Sequence, residues 1–582
     1  MLLMLITLMS SDSATIDTAQ IYEIPSIVTF WFRPDTTQCQ MLTMRPAQGD
    51  YTLIETFFFS PFALLDFGGG QLSVISRKGK DPRHTTLFLN GHRIDNPLFG
   101  YMNLAQLSPY PIDKISINDH GLGSECVNIV SRVNTYDTPF SFVQFTWGDF
   151  ETNIYTIGFT RPITNDLGFY LSGSYLETDG YRFNSQYDLG SLYSTMYYNT
   201  IVPMRLDIIY ASGEYGIHGQ TLDSLQATGM NNFADISFVL GNDSHRAALY
   251  YTINRNDQKG VGTDSLYANV TRNYGIDINN QNNIGGYTLA YQLMGVISDV
   301  ESDIAGEHTV RSLNARMAIQ KSYQMFSLAL GARTEWYDEH EWLYAPQVTI
   351  SFLVSDSARL SATISRSFRN PSLLELYGPT DISHLYNWGG GNSTLVPEYL
   401  WQQEISFHWG RSFVTLYKHD YENMITTQRN TDDTIIHQNV ASWQRTGIEG
   451  HIIGMLHLTQ DTSAQSNTTI SAGLSGNHTF ANDSLLPVPK SNVRGFMALI
   501  RETPRFGLGL TVRAEYVGTR QNSMEQESEP FTVLSAIAHI RFITLTFSVR
   551  FDNVLDESYA YVGGYENTPR NGRFSITWEF WD

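Results

Sequence analysis

Charge is scarce in this chain. Of its 582 residues only 16% are Asp, Glu, Lys or Arg, where a soluble globular protein carries roughly a quarter. The basic kind is scarcer still, with 37 Lys and Arg against 58 Asp and Glu and a net charge of −21. Phosphate binding needs clustered cations, so nucleic acid is excluded as a partner. Cysteine is almost absent: Cys39 and Cys126 form no metal or redox motif, and the sequence leaves open whether they close one disulfide or remain two thiols. No apolar run reaches the ~18 residues that a membrane helix requires. Helical periodicity and fixed-period repeats are missing as well. Neither GxSxG nor HExxH occurs and the 15 histidines are scattered, so a hydrolase site is not expected.

What the chain has is alternation and aromatic residues. Aromatics make up 13%, with 33 Tyr, 32 Phe and 10 Trp. In ITLTFSVRF, Ile543, Leu545, Phe547, Val549 and Phe551 interleave with Thr544, Thr546, Ser548 and Arg550. A strand sends successive side chains to opposite faces, so such a segment has one apolar and one polar face. Phe506, Leu508, Leu510, Val512, Ala514 and Tyr516 alternate with Gly507, Gly509, Thr511, Arg513 and Glu515 in the same way. Turn signals such as RPITNDLG, VLGNDSH and SLLPVPKSN separate the segments.

A soluble sandwich also alternates. Here no linker or composition shift divides the chain after residue 140, and the polar register is Ser, Thr, Gly and isolated Arg or Glu. That register suits a wet lumen. The segments run to about 9–11 residues with aromatics near their ends, the length and girdle of a transmembrane β-strand. Lipid satisfies no backbone hydrogen bond, so such strands must close into a ring. The expected fold is an all-β membrane protein, a large antiparallel transmembrane β-barrel of about 22 strands. The first 140 residues alternate weakly and are broken by Gly-rich turns such as FGGGQLS. They are expected to form an α+β plug filling a bore that would otherwise be open. The predicted division is 1–14 as a signal peptide (MLLMLITLMSSDSA, with a buried strand or a tail as the other reading), 15–30 extended, 31–138 plug and 139–582 barrel.

Several segments, in order, resemble the TonB-dependent outer-membrane receptors. YEIPSIVTFWFR (Tyr22 to Arg33) resembles the opening segment of these receptors, where a TonB box leads into the plug. SVISRKG (Ser73 to Gly79), TTLFLNGHRIDNPLFG (Thr85 to Gly100), PIDKISINDHGLGS (Pro111 to Ser124) and VNIVSR (Val127 to Arg132) are similar to plug elements. TDGYRFNS (Thr178 to Ser185), SRSFRNPSLLELYG (Ser365 to Gly378), GNSTLVPEYLWQQEISF (Gly391 to Phe407), TGIEGHI (Thr446 to Ile452), DNVLDESYAY (Asp552 to Tyr561) and GRFSITWEF (Gly572 to Phe580) follow in the family's barrel order. The chain departs from the pattern at SRKGK, at Asn90-Gly91 in place of Asp-Gly, at SECVNIV, and in ending on Trp581-Asp582. Its length is close to that of the small members, cobalamin receptors among them.

The resemblance implies active uptake of a scarce ligand (cobalamin, a ferric siderophore, haem or another chelate) across a Gram-negative outer membrane. It implies no cofactor and no catalytic residue. The implied partners are the TonB–ExbB–ExbD complex, the ligand, outer-membrane lipid and the barrel-assembly machinery, with the receptor a monomer. TonB would capture an extended segment by strand addition. The candidate is Tyr22, Glu23, Ile24, Pro25, Ser26, Ile27 and Val28; the same residues also read as a first plug strand. Ligand contact is expected at Arg77, Arg83, Leu98, Phe99, Tyr101 and Met102, where an aromatic tip could stack on a flat ligand. The bland reading, favoured by the sequence, is that Phe99 and Tyr101 merely pack the plug against the wall. No metal site is expected: Asp338 to Glu341 and Gly275 to Asn283 are rich in oxygen ligands but match no calcium loop. The remaining alternative is a passive porin or an adhesin whose plug does not move.

Overall fold

The computed structural model describes residues 40–44, 50, 52–118, 125–132, 139–219, 227–242, 244–260, 266–338, 340–379, 389–429, 434–461, 466–480, 486, 488–521 and 527–581. The segment Tyr22 to Val28 and Cys39 lie outside them. Twenty-two antiparallel strands, from Phe140–Gly148 to Asn571–Trp581, each pair with their sequence neighbours. The ring closes where the last strand pairs with the first, Arg573 opposite Gly148 and Trp581 opposite Phe140. Closure leaves no unpaired edge, the condition for a sheet to stand in hydrocarbon.

Burial along each strand decides which face meets what. In Phe506–Val517, Leu508, Leu510 and Val512 are 46%, 50% and 38% exposed, while Thr511, Arg513 and Glu515 are 2%, 7% and 2% exposed. Leu545–Asp552 repeats the pattern: Thr546, Ser548 and Arg550 are buried and Phe551 is exposed. A water-soluble sandwich would show the reverse. The apolar register is the outer surface of the ring, and it faces lipid. Trp147 stacks on Phe145 and on Phe574 across the closing seam, at 6.1 and 6.3 Å between ring centroids.

The strands are longer than the membrane alone demands. They reach 19 residues in Leu266–Ile284 and 27 in Ile435–Asp461, against the about 9–11 needed to cross and expected from the segments. The excess carries the wall beyond the bilayer. At the end bearing both barrel termini, connections run from two residues (285–286) to five (199–203); at the other they extend to 370–397 and 553–570. Short turns mark the periplasmic end and long loops the outer end.

Inside stands a small mixed sheet of five strands in the order Gln40–Met44, Ile112–Asn118, Glu125–Ser131, Thr85–Leu89, His92–Arg93. A separate hairpin pairs Ala63–Asp66 with Ser73–Ser76, and three short 3-10 helices lie among the plug's described residues. Its core joins Leu53, Phe57, Ile115, Val127 and Ile129 to the wall residues Tyr193 and Phe233. Ion pairs and buried histidine–carboxylate contacts hold it around the circumference. Arg77 donates from Nε and Nη2 to the two oxygens of Glu449, at 2.6 and 2.7 Å. Lys78 meets Glu404 at 2.5 Å, His84 meets Glu398 at 2.6 Å, and His92 meets Asp235 at 2.8 Å. From the wall, Arg550 reaches Asp50 and Glu55 at 3.0 and 3.1 Å. Arg77, Lys78, Glu404 and Glu449 are buried, so each of these charges depends on its partner for solvation.

Candidate functional site

The outward face of the plug is built from two turns. FGGGQL joins the strands of the hairpin: the Gln71 amide donates to the Gly68 carbonyl at 3.1 Å and the Phe67 amide to the Leu72 carbonyl at 2.9 Å. Gly68, Gly69 and Gly70 have φ of 71°, 51° and 72°, a conformation that side chains with a Cβ rarely adopt. A Cβ on Gly70 would also collide with the Tyr187 ring, so the chain passes against the wall only as glycine. The second turn is Asn96 to Tyr101. The Asn96 Oδ1 accepts the Leu98 amide at 2.9 Å, and its carbonyl accepts the Gly100 amide at 2.7 Å. Asn103 ties the two turns: its Nδ2 donates to the Gln71 carbonyl at 2.6 Å and its Oδ1 accepts the Ser73 amide at 2.9 Å.

An outer loop clamps the second turn. The helix Leu373–Tyr377 begins with a capping box in which Ser372 and Glu375 bond each other's backbone amides. The amides of Leu373 and Leu374 donate to the carbonyls of Pro97 and Leu98 at 3.1 and 3.0 Å. Glu375 also accepts from Arg83 and Arg369, each at 2.8 Å. Burial alone would push its carboxyl up, but the two guanidiniums prevail and hold it well below the ordinary carboxylate range. SRSFRNPSLLELYG therefore acts here as a plug-to-loop clamp.

Aromatic side chains surround the turns. Phe99 and Tyr101 lie nearly parallel, 6.0 Å apart at 17°. Phe67 meets Tyr565 of the last loop at 4.7 Å, and Tyr421 meets Trp443 at 5.3 Å. Among the described residues, two hollows open between plug and wall. The larger is lined by charged residues including Lys80, Arg83, Arg93, Asp95, Arg333 and Glu335. The smaller, a cleft, is lined by Phe99, Tyr101, Tyr215 and a set of side-chain amides.

The expected ligand residues separate into groups. Phe99 and Tyr101 wall the cleft, and Arg83 lines the larger hollow while donating from Nε to the Phe99 carbonyl at 3.3 Å. Leu98 and Met102 are fully buried behind the turn, and Arg77 is held at the wall by Glu449. Gly275 to Asn283 lies within a strand paired on both sides, with Asp277 bonded to Arg246 and Gln292. Glu339 of the other acidic stretch lies outside the described residues, among which no group of three metal-ligating side chains occurs.

Sequence reasoning missed Gln71, Asn103, Tyr215, Asn254 and Asn256. The two wall asparagines occupy the inward register of His245–Lys259, which is largely polar in most strands, so nothing in the pattern distinguishes them.

A family model described as TonB dependent receptor-like, beta-barrel matches residues 88–554. No curated protein matches the chain significantly. Solved structures match over nearly its whole length. The siderophore receptor PirA from Acinetobacter baumannii has a TM-score of 0.69 at 13% identity, covering 91% of this chain and 96% of its own. A ferric enterobactin receptor mutant (PfeA) from Pseudomonas aeruginosa, in complex with enterobactin, has a TM-score of 0.70 at 13% identity, with coverage of 91% and 97%. The FrpB iron transporter from Neisseria meningitidis has a TM-score of 0.72 at 11% identity, with coverage of 91% and 97%. At such identities these neighbours establish the fold alone. With a closed 22-strand ring, a filled bore and a family match across most of its length, the chain belongs to the TonB-dependent receptor-like β-barrel family of the Gram-negative outer membrane, whose members are transporters and not enzymes.

Proposed function

We propose that the protein takes up a scarce chelate actively, binding it at the outer face of the plug and releasing it to the periplasm when TonB displaces the plug. One observation carries this reading: a folded domain packs inside the bore, and a cleft lies between its outer turns and the wall. A passive pore has no use for a stopper held by buried ion pairs around the wall. The outer membrane has no ion gradient of its own, so the energy must enter from TonB–ExbB–ExbD through an extended plug segment. Tyr22 to Val28 is that segment in this account, captured by main-chain pairing. Phe99 and Tyr101 contact the ligand, Arg83 fixes their turn, and Leu98, Met102 and Arg77 support it from behind. Cobalamin, ferric siderophores and haem are the ligand classes this scaffold would serve.

The test is uptake of labelled chelates by cells depending on this receptor, with and without a protonophore. Active transport stops when the proton-motive force collapses, while surface binding persists. Uptake that continues at the same rate would identify a passive pore. Deleting residues 15–28 should give the protonophore phenotype with the barrel still assembled.

A further inference from the structure

The two hollows flanking the plug differ in chemistry. Five Lys and Arg side chains line the larger, with Asp95 and Glu335 among them. The smaller has, among the described residues, no Lys, Arg, Asp or Glu in its lining. Its polar residues are Gln71, Asn96, Asn103, Gln106, Asn254 and Asn256, with Tyr101 and Tyr215 beside them. They are held by one another and by the backbone. Asn254 Nδ2 donates to Gln106 Oε1 at 2.9 Å, and Asn256 Nδ2 donates to the Tyr215 hydroxyl at 3.2 Å. A lattice of this kind keeps its dipoles oriented, so a ligand meets donors and acceptors already in place.

One acceptor in that lattice is unused. Gln71 is 2% exposed. Its Nε2 donates to the His218 carbonyl at 3.3 Å and lies 3.0 Å from His218 Nδ1. Those contacts fix which end of the amide is which. The Oε1 is left buried with no partner among the described residues. A buried amide oxygen without a donor costs about 1–3 kcal/mol, and Gln71 lines the cleft together with Phe99 and Tyr101.

We propose that this cleft grips an uncharged ligand edge that presents an N–H or O–H donor to Gln71 Oε1 and a flat apolar face to Phe99 and Tyr101. The inference rests on the receptor reading above and narrows its ligand class. An anionic chelate would have to give up its hydration for a site that offers no cation, a cost that neutral amides do not repay. A neutral chelate loses little and gains the aromatic face. Amide-rimmed macrocycles and neutral hydroxamate complexes share this chemistry.

Calorimetric titration of the purified full chain in detergent tests it, and binding there needs no energy source, so failed transport and failed recognition are separable. Three probes are used: cyanocobalamin, a neutral ferric trihydroxamate and an anionic ferric tris-catecholate. At least one neutral probe should bind and the catecholate should not, and which neutral probe binds identifies the source. Gln71→Leu should weaken binding about tenfold, as expected for one buried hydrogen bond. Phe99→Ala, at a half-buried position that leaves the lattice intact, should weaken it comparably. Silence from both neutral probes, binding of the catecholate, or unchanged affinity in both variants would overturn the proposal.

Discussion

Arg77 shows how a single side chain can be read wrongly from its neighbours in sequence. Next to Gly79 and Arg83 it looks like part of a basic, ligand-facing turn. Its partner is Glu449, 372 positions away, and both side chains are buried. Nothing local announces a contact of that range, because burying a charge depends on what the folded wall brings to it. Removing one member strands the other in a low-dielectric interior. Arg77→Met should therefore cost about 3–5 kcal/mol, read as a lower urea midpoint for the plug in detergent. Adding Glu449→Met should recover most of that loss, and a double variant no better than the single one would deny the pairing. Phe99 and Tyr101 behave differently. Alanine at both should reduce ligand affinity more than thermal stability, and the opposite ranking would make them packing residues only.

Elements are where the sequence was most readable. Strand Phe506–Val517 has a period of two, with Leu508, Leu510, Val512 and Tyr516 exposed and Thr511, Arg513 and Glu515 buried. Period and composition are local properties, which is why the barrel and its lipid face could be foreseen. Lengths could not, since the same alternation continues above the membrane in Ile435–Asp461. Leu510→Arg, on the lipid face, should destabilise the barrel by about 2–4 kcal/mol if it lies near the midplane, measured by folding into vesicles; the same change at Ala514, nearer the strand end, should cost less. The clamp at Leu373–Tyr377 carries a pH prediction. The folded Glu375 carboxyl sits below its ordinary value of 4.5, so its contribution is full above that value and is lost only as pH falls through the lower, folded one. Hydrogen exchange at the Leu373 and Leu374 amides should stay slow from neutral pH past pH 4, and rise only in stronger acid. Release between pH 5 and 4 would mean that Arg83 and Arg369 do not hold it.

The molecule as a whole is a closed ring of strands around a folded domain, and the proposed function follows from that filling. Exposed aromatics, a closed ring and unequal loop ends set it in the outer membrane, while the plug fills a bore that would otherwise stand open. The existence of the plug was legible in the change of texture near residue 140. The cleft was not, because Gln71 and Asn256 come together only when hairpin and wall are assembled. Incorporation of the purified full chain into a planar lipid bilayer, with the current recorded under a fixed potential, tests this most directly. The account predicts a membrane that stays electrically silent as protein inserts, with no channel steps. Large, steady conductance steps from the intact chain would show that the bore is open, and the gated receptor described here would not stand.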